Sequence, residues 1–417
     1  MNLRLRLTFM SFLQFFIWGA WLITVGNYWF GTKQWSGANF GDVFSTLALS
    51  SILMPALIGI IADKWINAEI LYGILHILGG IALAMIPALD SPEHFYWVIF
   101  LAMIFYMPTI SLSNSTAYTI LINNQLDVVK TFPPIRVWGT IGFIAAMWVT
   151  DLSGNKASGN MFYIAAGAAI VLGLYSFTLP KCPPQKLISS KAGWVETLGF
   201  NAFKLFANYK MALFFIFSMF LGAALQLTNM YGDTFLSDFA KIPEYADLFV
   251  VKHSTIIMSI SQISETLFIL AIPFFLRRFG IKQVMLISMF AWVLRFGLFA
   301  YGNPAGGLWM IIMSGIVYGM AFDFFNISGS LFIETQTDSK IRSSAQGLFM
   351  MMTNGFGAFF GAKISGILID TYFTKEGNKD WHQIWLVFAL YALCIAIAFA
   401  IMFKHKHTKI EVGTIQH

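Results

Sequence analysis

Stretches of about 20 mostly apolar residues recur along this chain, each long enough to cross the hydrocarbon core of a bilayer as a helix. Twelve are found, near 7–30, 39–62, 69–89, 95–122, 135–152, 160–180, 211–236, 254–276, 283–301, 307–333, 343–370 and 382–403. In lipid a backbone must satisfy its own N–H and C=O groups, so such segments are expected to be helical. Composition leaves no soluble alternative: 58% of the 417 residues are apolar or aromatic and 11% are charged, against roughly 25% charged in average globular chains. The first stretch is too long for a signal peptide and lacks a small-residue cleavage site, so it is expected to remain as a helix. The expected fold class is an all-α polytopic membrane protein with twelve transmembrane helices.

An even number of spans places both termini on one side. Seventeen Lys and Arg lie in the connections on that side and six in the opposite set, while Arg136, Arg295 and Lys363 fall inside spans. The positive-inside rule therefore predicts cytoplasmic termini. The longest cytoplasmic connection divides the chain into an N-terminal six-helix bundle at 1–180, a linker at 181–210, a C-terminal six-helix bundle at 211–403 and a tail at 404–417. Short internal matches fit two parallel repeats: Tyr106 and Asn114 correspond to Tyr318 and Asn326, and Ile135, Arg136 and Phe143 to Ile341, Arg342 and Phe349. Many secondary transporters follow this 6+6 plan.

Several chemistries lack their residues. Cys182 and Cys394 form neither a disulfide framework nor a Cys-based metal site. Only His76 of the seven histidines lies in the interior of a span, the other six falling at span ends or in tails, so bis-His haem, His-rich metal sites and His-dependent acyl transfer are not expected. No GxxxxGK[ST] phosphate loop occurs, and the net charge of +6 is not gathered into an aromatic-interleaved basic stripe for nucleic acid. The chain reads as no enzyme, with no cofactor and no metal, which leaves transport driven by an ion gradient.

Polar residues within the spans mark the pathway, because ionisable groups near the bilayer centre are costly and normally face the bundle interior. Arg136 opens span 5 just after Pro133 and Pro134, which are expected to stop the helix from starting earlier. Thr140 and Phe143 share its face; the alternative is an Arg136 that snorkels to the headgroups. Span 8 carries Gln262 and Glu265, and span 10 carries Asp323 with Asn326 and Ser330, flanked by Tyr318 and Phe322. Burial penalises the charged form of a carboxylate, which suits Asp323 and Glu265 as proton carriers; a structural ion pair is the other reading. Either carboxylate would be a partner for Arg136. Span 7 adds Gln226 and Asn229, suited to ligand contact or to interhelical amide bonds. Arg295 and Lys363 lie close enough to span ends to be read as interface anchors.

The turn GIIADKW at Gly59 to Trp65 resembles a reduced form of the major facilitator superfamily signature, with Gly59 expected to allow close helix approach and Asp63 and Lys64 to latch one conformation. More specific are SFLQFFIWGAWL from Ser11, FPPIRVWGTIGF from Phe132, SISQISETLFILAIPFF from Ser259, FGIK from Phe279, YGMAFDFFNISGS from Tyr318 and SAQGLFMMMTNGFG from Ser344. These resemble the nucleoside:proton symporter family of enterobacterial inner membranes, from the first helix to the last.

The resemblance implies the 6+6 major facilitator fold in a bacterial inner membrane. It also implies import of purine and pyrimidine ribonucleosides with protons by alternating access, at a central site. Arg136, Thr140, Phe143, Gln226, Asn229, Gln262, Glu265, Tyr318, Phe322 and Asp323 match the family's site positions. Asp233 and Lys363 depart from the pattern, and Asp233 is expected to add charge at the outer mouth. A ribose presents vicinal hydroxyls to a carboxylate, amides and a guanidinium, and a base presents a flat π-face to Phe143 or Phe322. The expected partners are the nucleoside, protons and the lipid bilayer, and the protein is expected to be a monomer. A proton-coupled sugar or polyol symporter is the alternative, since the same amides and carboxylate would serve it.

Overall fold

Small polar residues open several of the apolar segments. The side chains of Ser36, Ser91, Asn208 and Asp380 accept backbone N–H groups of Asn39, His94, Lys210 and Gln383, filling donors that a first helical turn leaves unpaired. The computed structural model describes residues 2–184, 200–337 and 341–405. Half of the expected linker (185–199) and most of the expected tail (406–417) lie outside the described residues. The principal helices are α1 (Leu3–Gly19), α2 (Gly37–Lys64), α3 (Ala68–Met85), α4 (Pro92–Asn123), α5 (Val128–Leu152), α6 (Asn160–Ser176) and α7 (Tyr209–Asp238). After four short helical segments come α8 and α9, together Ile260–Tyr301, then α10 (Leu308–Gln336), α11 (Arg342–Met350 and Ala358–Tyr372) and α12 (Trp381–Met402).

Among the described residues, eight helices are long and apolar enough to cross a membrane. The difference from the expected twelve has local causes. Helices α1 and α6 have 17 residues each, and α1 continues through a turn into a π-helix at Asn27–Thr32. Helices α8 and α9 form one run broken at Gly280, whose φ of 76° is one that glycine adopts without steric cost. A π-helical turn at Met351–Gly357 interrupts α11.

One further expectation is corrected. Pro133 and Pro134 do not mark a helix start, since α5 begins at Val128 and carries both inside. Prolines are tolerated within membrane helices because neighbouring groups or water re-satisfy the freed carbonyls. The described residues are nearly all helical, as the all-α class requires, apart from one short hairpin in which Thr374–Lys375 and Asn378–Lys379 (β1 and β2) pair antiparallel. The turn residues Glu376 and Gly377 both have positive φ, 50° and 78°, as a tight hairpin with right-handed strand twist requires.

The chain divides into two units, Met1–Leu198 and Gly199–His417. In the first, α1 packs on α5, α2 on α4 and α3 on α6. The second repeats these partnerships six helices later, with α7 on α11, α10 on the α8–α9 pair and α12 on that same pair. Glycine allows the tightest approaches. A Cβ at Gly19 would run into the Phe143 carbonyl oxygen and one at Gly142 into that of Phe12, while Gly222 and Gly357 play the same part between α7 and α11. Such small-residue contacts drive helix association where lipid removes the hydrophobic incentive.

Cys182 ties the end of the first unit back to α3. Its N–H donates to Glu69 Oε2 at 2.8 Å and its carbonyl accepts from Ala68 N at 3.0 Å. Burial, with Glu69 beside it, pushes the Cys182 thiol up to about 12. The outer faces are apolar. Ile70, Ile74, Leu78, Ile81 and Met85 form an exposed stripe along α3, and Ile263, Leu267, Leu270 and Phe274 form another along α8, at the helical spacing of one face.

Candidate substrate and proton site

In the first unit, close approach of α1 and α5 shapes the surroundings of the α5 motif. Arg136, Thr140 and Phe143 are all half-buried on one face. The Arg136 guanidinium carbon stands 4.1 Å from the centroid of the Phe15 ring, a cation–π geometry. Gly139 makes room for it, since a Cβ there would lie 2.7 Å from both Arg136 Nη1 and the Phe15 ring. Phe143 meets Trp18 edge to face with centroids 6.4 Å apart.

Behind these residues lies a buried polar cluster that sequence reasoning missed, although Gln14 was visible as an amide in an apolar helix. Gln14 Nε2 donates to Thr109 Oγ1 at 2.9 Å, and its Oε1 accepts from Tyr72 Oη at 2.6 Å. His76 Nε2 also lies 2.9 Å from Gln14 Oε1, a contact that requires the tautomer with hydrogen on Nε2. Tyr106 Oη donates to the Gln14 carbonyl at 2.7 Å. Every heteroatom of the Gln14 side chain is therefore engaged, which fixes α1 against α3 and α4.

In the second unit, α8 and α10 touch at Gly319, where a Cβ would sit 2.6 Å from the Ser264 carbonyl oxygen. This contact sets Glu265, the next residue on α8, near the polar stretch of α10. Tyr318 lies within electrostatic reach of Glu265, Arg295 and Asp323, and the two carboxylates influence each other. Asp323 is 4% exposed, and its Oδ2 accepts no hydrogen bond from any described residue. A buried carboxylate oxygen in that state is costly unless the group carries a proton. Gln226 is buried, Asn229 and Gln262 are half-buried, and Gln262 Oε1 has no partner among the described residues.

Arg295 is not an interface anchor. It is 1% exposed, with Nη1 donating to the Ser314 carbonyl at 2.6 Å and to Ser261 Oγ at 3.3 Å, and Nε to Thr228 Oγ1 at 3.4 Å. Its guanidinium also lies against the rings of Tyr318 and Phe299. The position along the span suggested an end, whereas hydroxyls and a carbonyl from α7, α8 and α10 collect around it. Lys363 is half-buried, with Nζ 5.9 Å from the Phe359 centroid. Asp233 is buried, not at an open mouth, and accepts from Thr255 Oγ1 at 3.2 Å. Gly59 does not serve close packing either, since a Cβ there would meet nothing within 4 Å; Asp63 and Lys64 are exposed.

A small cavity of about 20 Å³ lies within the second unit, walled by Gly222, Trp292, Phe322, Asn326, Thr353 and Asn354 among others. That space holds about one water-sized group. Phe322 was selected from sequence; Thr353 and Asn354 were not, because the π-helical turn that places them leaves no periodic signal.

Comparison with known proteins identifies the family of the chain. The profile of the Nucleoside H+ symporter family matches residues 1–408. The nucleoside permease NupG of Escherichia coli K12 is 52% identical over 415 residues, covering 99% of each chain. The xanthosine permease of the same strain is 51% identical over 422 residues, covering 100% of each. Crystal structures of NupG and of its D323A mutant match with TM-scores of 0.92 and 0.94 at 52% identity, covering 97% of this chain and 100% of theirs. The chain belongs to the nucleoside–proton symporter family, membrane transporters of the major facilitator superfamily.

Proposed function

We propose that this protein imports purine and pyrimidine ribonucleosides together with protons across a bacterial inner membrane. In this reading it acts as a monomer, with twelve spans in two six-helix bundles and both termini in the cytoplasm. Arg136, Thr140 and Phe143 in the first unit bind the nucleoside, with Gln226, Asn229, Gln262, Glu265, Tyr318, Phe322 and Asp323 in the second. Asp63 and Lys64 act as a conformational latch through their charges at the end of α2, one turn beyond Gly59, where the chain is not tightly packed.

The observation that carries the reading is Asp323: a buried carboxylate with one oxygen that has no partner among the described residues, within electrostatic reach of Glu265 and set beside aromatic rings. Protonation of Asp323 removes the cost of burying its charge, so loading a proton and rearranging the bundle are energetically linked. Glu265 and the amides hold the ribose hydroxyls, and a ring of Phe143 or Phe322 receives the flat face of the base. Once the site opens to the cytoplasm, loss of the proton from Asp323 disfavours the loaded form and releases the nucleoside.

Family membership favours nucleosides over sugars or polyols. Competition tests this directly: uridine and adenosine should inhibit labelled-uridine uptake into proteoliposomes, whereas lactose, sucrose and xylitol should not. Equal inhibition by a sugar would favour the polyol reading.

A further inference from the structure

We infer that Asn354, with Asn326, forms a niche that recognises the exocyclic group of the nucleobase, the atom on C4 of a pyrimidine or C6 of a purine. This inference rests on the nucleoside reading above and specifies how that site reads its base.

Both amides line the same cavity as Phe322 and Trp292. Neither makes a side-chain hydrogen bond to any described residue, and both are half-buried. Thr353, the third polar residue on this wall, is already engaged, its hydroxyl donating to the Phe349 carbonyl at 3.0 Å. The free polar capacity of the niche therefore belongs to the two asparagines. Thr353 and Asn354, which both line the wall, lie within the π-helical turn Met351–Gly357. Such turns are rare and concentrate at functional sites. Gly222 lets α11 approach, since a Cβ there would collide with the Thr353 carbonyl oxygen.

The volume of about 20 Å³ is far too small for a whole base but suits one projecting oxygen or amino group. A carboxamide offers an NH₂ donor and a C=O acceptor side by side and can turn over to exchange them. One asparagine can therefore donate to the oxo group of uridine or inosine and accept from the amino group of cytidine or adenosine. The niche would detect that a group is present without insisting on which.

The test uses competition against labelled-uridine uptake in proteoliposomes. For the wild-type protein, the pyrimidin-2-one riboside, which lacks any group on C4, should compete at least about tenfold more weakly than uridine. Asn354→Asp and Asn326→Asp replace the donor with acceptors. Each should shift the cytidine-to-uridine and adenosine-to-inosine inhibition ratios towards the amino-bearing base by about tenfold, a measurement independent of protein amount. Equal competition by the pyrimidin-2-one riboside, or ratios within about twofold of wild type in both variants, overturns the inference. Absence of any nucleoside uptake by the wild-type protein would instead overturn the nucleoside reading itself.

Discussion

The rings of Tyr318 and Phe322 lie almost parallel, with 12° between their planes and 6.2 Å between their centroids. One helical turn separates them, so α10 presents a short aromatic ladder. The Arg295 guanidinium stands 4.6 Å from the Tyr318 centroid and Trp292 meets the same ring edge to face. Tyr318 is thereby fixed by α9, which leaves Phe322 to line the cavity.

Arg295→Lys should disrupt this arrangement although it keeps the charge. A planar fork reaches Ser261, Ser314 and Thr228 together, and a lysine ammonium cannot reproduce that geometry. Each lost hydrogen bond to a buried charge costs about 1.5–3 kcal/mol. The expected outcome is a clearly lowered unfolding temperature in detergent together with weaker uridine uptake. An unchanged melting profile would show that α9 holds Tyr318 without this residue.

Glu265→Gln separates ribose binding from proton coupling. If Glu265 mainly accepts from ribose hydroxyls, uridine affinity should fall by about 1.5–3 kcal/mol while the proton gradient still drives what uptake remains. Affinity at the wild-type level combined with lost accumulation would assign Glu265 to the proton instead.

Arg136→Lys keeps the cation but loses the planar contact with Phe15, and uptake should be severely reduced with normal amounts of protein in the membrane. Phe143→Ala should lose about 1–3 kcal/mol of nucleoside affinity if this ring stacks on the base, whereas Phe143→Tyr should retain most of it. Unchanged apparent affinity in Phe143→Ala would make Phe322 the stacking ring. Purified protein and a binding isotherm for uridine suffice for the measurement.

Much of the architecture was legible because lipid imposes a coarse rule, an apolar run of span length. The break after α8 fell in the gap between two apolar runs, although the positive φ of Gly280 within FGIK was not read from the sequence. Asp323, Glu265, Tyr318 and Phe322 stood out as polar or aromatic residues in apolar surroundings, and the structure brings them together within one unit. What sequence hid has physical reasons. A π-turn at Met351–Gly357 needs no special composition, so Asn354 gave no signal. Arg295 looked like an anchor because distance along a span is visible in sequence, whereas the hydroxyls of Thr228 and Ser261 meet it only once three helices have packed. Gly59 matched a motif, yet its packing role depends on a neighbour that does not approach it.

Gly142→Ala tests the close contact of α1 and α5. The added methyl group would collide with the Phe12 carbonyl oxygen, a backbone atom that cannot turn aside, and overpacking of this kind costs about 1–3 kcal/mol. Thermal unfolding should begin at a lower temperature than in wild type. Gly167→Ala, where a Cβ meets nothing within 4 Å, is the control and should be neutral or slightly stabilising. Equal stability of the two variants would contradict the close approach.

Accumulation of labelled uridine in proteoliposomes under an imposed inward proton gradient bears most directly on the proposed coupling through Asp323. Wild-type protein should concentrate uridine above the external level and lose that gradient on addition of an uncoupler. Asp323→Asn, which keeps shape and hydrogen bonding but cannot ionise, should bind and exchange uridine without concentrating it. Full accumulation by Asp323→Asn, or wild-type accumulation that survives the uncoupler, would contradict the account.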